Sequence, residues 1–122
     1  MLREEVLDNE YLYRGVIELN WDWNNNRPSS ATFKDSKGVS VDRGAFRKEE
    51  ECINYLLSKK DFIAVCKVLT QDVRNLDAIV LYKEIPSNKY HSEIHDSVDR
   101  IQMRGKKPNK IRDKSKIVYK NC

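Results

Sequence analysis

Glycine, proline, cysteine and histidine are all scarce in this chain, at four, three, three and two of 122 residues. Four glycines leave little to build a phosphate-cradling loop, and neither G-x-G-x-x-G nor a P-loop occurs. No G-x-S-x-G surrounds any serine, which excludes a nucleophile elbow. The cysteines, Cys52, Cys66 and Cys122, are odd in number and lack C-x-x-C spacing. That argues against a disulfide framework or zinc knuckle and favours a reducing, cytoplasmic compartment. The longest apolar run, Phe62–Cys66, is five residues, far below the roughly 20 that span a bilayer. Met1–Glu10 carries four acidic residues and no apolar stretch, so neither a signal peptide nor membrane association is expected.

What the chain does have is charge, 34% of residues, with 23 Lys and Arg against 19 Asp and Glu. The resulting +4 is unevenly spread. Arg100–Cys122 holds nine basic residues against Asp113 alone, a net +8, while the remainder has 14 basic and 18 acidic side chains, a net −4. An acidic body with a basic end suggests phosphate contact, to a nucleic acid or an acidic protein partner, or else a solubilising segment. The candidates for such contact are Arg104, Lys106, Lys107, Lys110, Arg112, Lys114 and Lys116. Tyr119 is the segment's one aromatic, so base stacking has little support there.

The length fits one domain, residues 1–99, with the basic segment 100–122 joined or appended to it. Glu10–Leu19 is aromatic and β-branched and reads as a strand. Asn20–Lys37 reads as a long loop with one short turn near Ser29–Lys34, ordered by Trp21, Trp23 and Phe33. Val39–Asp42 alternates as a short strand. Arg47–Lys59 is the clearest helix: Glu49–Glu51 open it, Lys59 and Lys60 close it, and Cys52, Ile53, Leu56 and Leu57 form one apolar stripe. Phe62–Leu69 reads as the central strand of the sheet, followed by a turn capped by Thr70 and strands at Ala78–Tyr82 and Tyr90–His95. Ser97–Met103 and the stretch beyond Pro108 are the further helix candidates. The expected fold is α+β: a small mixed, mostly antiparallel sheet with one main amphipathic helix and a basic C-terminal segment.

His91, Glu93 and His95 share a strand face, but H-S-E-I-H is not H-E-x-x-H, and no further ligands or second shell can be assigned. No metal is expected. Cys66, inside the most apolar strand, is expected to be buried and inert. Arg14 stands out because an arginine within Leu12–Val16 is costly unless it meets a cleft, a ligand or a carboxylate on a wet face. Gly15 beside it permits close approach of another group.

Tyr13-Arg14-Gly15 in a first strand, Ser40 in Val39-Ser40-Val41-Asp42 and Glu93 in a late strand together resemble the arginine–serine–glutamate class of ADP-ribosyltransferase folds. The layout over residues 11–95 is also similar to the RES domains, which add a polar-loop arginine at the place of Arg27 in Asn26-Arg27-Pro28-Ser29. Ser40 is followed by Val41-Asp42 in place of a completed Ser-Thr-Ser, and no Glu-x-Glu precedes Glu93. The resemblance implies NAD as substrate, Arg14 and Arg27 on its phosphates, and Ser40 and Glu93 as catalytic residues. It further implies Trp21, Trp23 or Tyr90 stacked on a ring, and the Asn20–Lys37 loop as a lid. A toxin or effector of a prokaryotic defence or toxin–antitoxin system would use such chemistry. The alternative is a non-enzymatic binding module that works through the basic end.

Overall fold

A computed structural model describes residues 3–121; Cys122 lies outside them. The described chain is α+β. Six antiparallel strands form one sheet: β1 (Tyr11–Val16), β4 (Val39–Arg43), β5 (Ala64–Leu69), β6 (Ile79–Tyr82), β7 (His91–His95) and β8 (Lys116–Lys120). Their spatial order is β6-β7-β4-β1-β5-β8. A separate two-stranded ribbon pairs β2 (Trp21–Asp22) with β3 (Arg27–Pro28). The helices are α1 (Glu49–Leu57), α2 (Thr70–Asn75) and α3 (Lys107–Lys114).

Alternation along the strands divides the sheet into two covered faces. Leu12 and Val16 of β1, Val39 and Val41 of β4, Cys66 and Val68 of β5 and Ile94 of β7 join Phe33, Val73 and Ile111 in the larger core. Tyr13 and Val65 point the other way and pack with Cys52 and Leu56 of α1. The apolar stripe of α1 is as the sequence predicts, and three glutamates in its first turn complement the macrodipole.

β5 is flanked by an edge strand, and β1 and β4 are the central pair. Its apolar run, interrupted only by Lys67, reflects burial on both faces, since Val65 meets α1 while Cys66 and Val68 enter the larger core. The strand beyond it is β8, drawn from the basic segment. That segment is integral to the fold, with Met103, Pro108 and Ile111 buried.

The Asn20–Lys37 stretch is more structured than a loop. Trp21 and Phe33 are buried, β2 pairs β3, and a 3-10 turn spans Ser30–Phe33. Trp21, Pro28, Thr32 and Phe33 pack inward, while residues 23–27 and 34–37 are exposed. Ser29 precedes that turn without a side-chain cap bond. Thr70 does not cap α2 either: it is the first helical residue, and its hydroxyl donates to the Glu10 carbonyl at 2.8 Å. Ser97–Met103 forms turns, and the helix lies beyond it.

Candidate functional site

The two central strands pair only briefly. β1 and β4 match Leu12 with Arg43 and Tyr13 with Asp42, whereas β1 follows β5 through all six of its residues. Beyond Tyr13 the β1–β4 ladder ends, and a side chain takes over the bonding there. Arg14 Nη1 donates to the Ser40 carbonyl at 2.8 Å, and its Nε donates to the Thr32 carbonyl at 3.1 Å. Arg14 thus bridges the fork between the strands and the turn that follows β3.

Its electrostatic position is unusual. No carboxylate of the described residues lies within salt-bridge distance of Arg14, and its Nη2 hydrogen-bonds none of them. Burial pulls the guanidinium below its usual pKa, opposed by the nearby Cys66 and Asp35. This half-buried cation is bonded only to neutral carbonyls, and no described carboxylate pairs with it.

Across β4, Ser40 stands directly opposite Glu93 of β7, so their side chains share a face. His91 Nδ1 lies 2.8 Å from the Lys83 carbonyl, which can only accept; in the neutral ring Nδ1 therefore carries the proton. Nε2 then accepts from the Ser40 hydroxyl at 3.2 Å. Glu93 Oε1 meets His95 Nε2 at 2.8 Å and Lys83 Nζ at 3.7 Å, while Oε2 hydrogen-bonds no described residue. Gly38, at φ +99°, closes over this pair; a Cβ there would lie 2.8 Å from His95 Nε2 and 2.9 Å from Glu93 Oε1.

The structure therefore gathers Arg14, Ser40 and Glu93 on the adjacent strands β1, β4 and β7. They reach the fork from two sides. Arg14 leaves β1 on the face of Leu12 and Val16, and Ser40 Oγ and Glu93 lie on the opposite face. Only the parting of the strands lets the guanidinium reach the Ser40 backbone. His91, His95, Lys83, Thr32 and Gly38 complete the surroundings. Of these the sequence singles out only the histidines, by their shared strand face; Lys83 and Thr32 carry no signal in it. No group of three metal-ligating side chains forms among the described residues.

The other expected cofactor contacts are not at the fork. Arg27 of β3 is 46% exposed at its side chain, lies 3.9 Å from Asp22, and lines an open cavity of about 260 Å³ with Arg112 and Ile117. Trp21 is buried under the Lys120 ammonium, and Trp23 borders a different cavity with Phe62 and Asn121. Tyr90 is sandwiched in the loop under α1, with the Arg47 guanidinium 3.4 Å from its ring centre and Tyr55 edge-on. Cys66 is buried, its thiol pushed up to about 12 by burial and donating to the Arg14 carbonyl at 3.6 Å.

The basic candidates divide into two groups. Arg104 and Lys107 converge on buried Asp96, at 3.1 and 3.2 Å, and Arg112 turns onto Asp113 at 3.0 Å. Lys106, Lys110, Lys114 and Lys116 are exposed and make no salt bridge with a described residue. Neither a family model, nor a curated protein, nor a solved structure matches the chain.

Proposed function

We propose that the fork is a site for cleaving the nicotinamide–ribose bond of NAD, making the protein an ADP-ribosyltransferase-like enzyme. The observation that carries this reading is Arg14, a half-buried guanidinium without a carboxylate partner among the described residues, hydrogen-bonded to the residue that faces Glu93. A pyrophosphate supplies the missing negative charge, and the free Nη2 gives it a donor. The ribose then lies toward Glu93, whose unengaged Oε2 accepts from a ribose hydroxyl and stabilises the oxocarbenium-like carbon. The glycosidic C–N bond breaks with its electron pair leaving on nicotinamide. Water or a transfer acceptor attacks C1′, and Glu93 takes the proton released. Ser40, held by the His91 ring, sits on the strand between those that carry the two charged groups. Arg27, Trp21, Trp23 and Tyr90 have no part in this version of the site.

The test is incubation with NAD and measurement of released nicotinamide, with water as the acceptor. Wild type releases nicotinamide, and Glu93→Gln lowers the rate by roughly 10²-fold or more. Arg14→Met weakens NAD binding, read by calorimetry on protein whose circular dichroism and melting show it folded. Folded wild type that neither binds NAD nor releases nicotinamide overturns the proposal, as does a Glu93→Gln variant with unchanged rate.

A further inference from the structure

The basic segment is not used at the fork, and the fold sorts its charges in a way the sequence does not. Arg104 and Lys107 are spent on Asp96, whose two carboxylate oxygens take the Arg104 amide (2.9 Å), the Arg104 guanidinium and the Lys107 ammonium. These residues tie the start of α3 to Asp96. Helix α3 buries Pro108 and Ile111, so positions four apart on its far side look outward. Lys106, Lys110 and Lys114 stand there in a row, each separated from the next by about 6 Å along the axis. Lys116 follows at the start of edge strand β8, where its pairing with Lys67 turns it toward the α1 face of the sheet. Asp113 is the one acidic residue among them, and Arg112 is bonded to it. The cavity between Arg27 and Arg112, floored by Ile117 and Pro28, borders the same end of α3.

We infer that the outward face of α3, with Lys116 at the adjoining sheet edge, docks the phosphodiester backbone of a nucleic acid. Two features favour that occupant over an acidic protein. The outward positions of α3 present lysines and Asp113 with no apolar or aromatic side chain, whereas protein interfaces centre on apolar anchors and are depleted in lysine. A row of flexible point charges also fits a polymer of evenly spaced phosphates, recognised without regard to sequence. Tyr119, the segment's aromatic, packs with the α1 core, so it offers no stacking platform.

The inference is independent of NAD and is tested on the full chain, because deleting residues 100–122 would remove α3 and β8 from the fold. Binding of a labelled 20-base-pair duplex and of a 20-nucleotide single strand, both of mixed sequence, is measured across a salt series. Replacing Lys106, Lys110, Lys114 and Lys116 together by Gln is expected to weaken binding roughly tenfold or more. The salt slope should fall by about 3 to 4 for the duplex. The same charge change made elsewhere, at Lys34, Lys37, Lys48 and Lys60, is expected to leave affinity within about twofold. Arg14→Met should bind as wild type does, which separates this outcome from failure at the fork. Equal losses in the two quadruple variants would mean that net charge alone is at work and would overturn the inference. So would displacement of the duplex by poly-glutamate as readily as by unlabelled duplex, which would point to an acidic protein, and so would no binding to either nucleic acid at low salt.

Discussion

Arg14 and Arg43 sit on the two central strands, and the fold treats them in opposite ways. Arg43 is 2% exposed at its side chain and grips Glu10 with two hydrogen bonds, Nε to Oε1 at 3.0 Å and Nη2 to Oε2 at 2.7 Å. Its remaining donors meet the Arg3 and Glu5 carbonyls, and its plane lies 4.7 Å from the centre of the Tyr82 ring. Glu10 in turn accepts the amides of Leu7 and Ala45. Every charge in that assembly is matched, and its product is architecture: it fastens the N-terminal segment across β1 and β4. Arg14 is matched only by dipoles. The saturated, buried Arg43 is a structural joint, and the half-buried Arg14, without a counter-charge among the described residues, is where we propose that an anion binds.

The largest expected effect comes from breaking the matched member. Arg43→Met should cost about 3–5 kcal/mol, because Glu10 is left charged and unpaired in the interior. Urea unfolding of Arg43→Met, Glu10→Gln and the double variant should give a double-variant loss well below the sum of the singles. Arg14→Met leaves two carbonyls without a donor but also removes an unmatched charge, so its cost should be about 1–2 kcal/mol. NAD should raise the melting temperature of wild type and not that of Arg14→Met. Equal destabilisation by the two arginine substitutions would erase the contrast.

Acid titration sharpens it further. Burial alone would raise the Glu10 pKa, but the bonds from Arg43, Leu7 and Ala45 hold it below its usual value. Asp96 is held at about 2, first by the Arg104 amide and then by Lys107 and the Arg104 side chain. Both carboxylates are more acidic in the folded chain than in the unfolded one. Their stabilisation is complete above the unfolded pKa and is lost as pH falls through the folded one. For Asp96 that window runs from its ordinary 3.8 down to about 2. Asp96→Asn should lower stability at pH 7 and flatten the acid limb of a stability–pH curve. An unchanged acid limb would remove Asp96 as the anchor of α3.

The smallest effect has the opposite sign. Asp42 is buried, accepts from Asn88 at 2.8 Å through one oxygen, and has no partner for the other among the described residues. Burial raises its pKa above the usual value, so its ionised form costs stability at neutral pH. Asp42→Asn keeps an acceptor for Asn88 and removes the buried charge. Melting temperature should rise slightly at pH 7, and the gain should shrink as pH falls and the wild-type carboxyl takes up its proton. A lower melting temperature at pH 7 would show that the Asp42 charge is needed by Arg47 or His91, both of which face it.

How much of this was legible in the sequence follows from the range of each signal. Helix α1 could be read because its stripe and its acidic first turn are local, although it ends at Leu57, before Lys59 and Lys60. The ribbon β2–β3 could not, since two-residue strands have no period to detect. Arg14, Ser40 and Glu93 could be singled out as residue types in strands, and the histidines by their spacing. Their register could not, because Ser40 and Glu93 are 53 positions apart in the chain and a one-residue slip would turn them to opposite faces. The same limit hid the pairing of Glu10 with Arg43. It also led to Arg27, Trp21, Trp23 and Tyr90 being placed with Arg14, when the fold sets the first three on or beside the β2–β3 ribbon and Tyr90 under α1.

By itself the sequence determined the class of fold, the single main amphipathic helix, the inert Cys66 and the concentration of positive charge at one end. These rest on composition and on periodicities within one element. Only the tertiary structure decided which cations are neutralised, where β1 and β4 part, and which four lysines of the basic segment still face solvent. Those properties depend on strand register and on partners distant in the chain, where desolvation and pairing set the energy and local sequence does not.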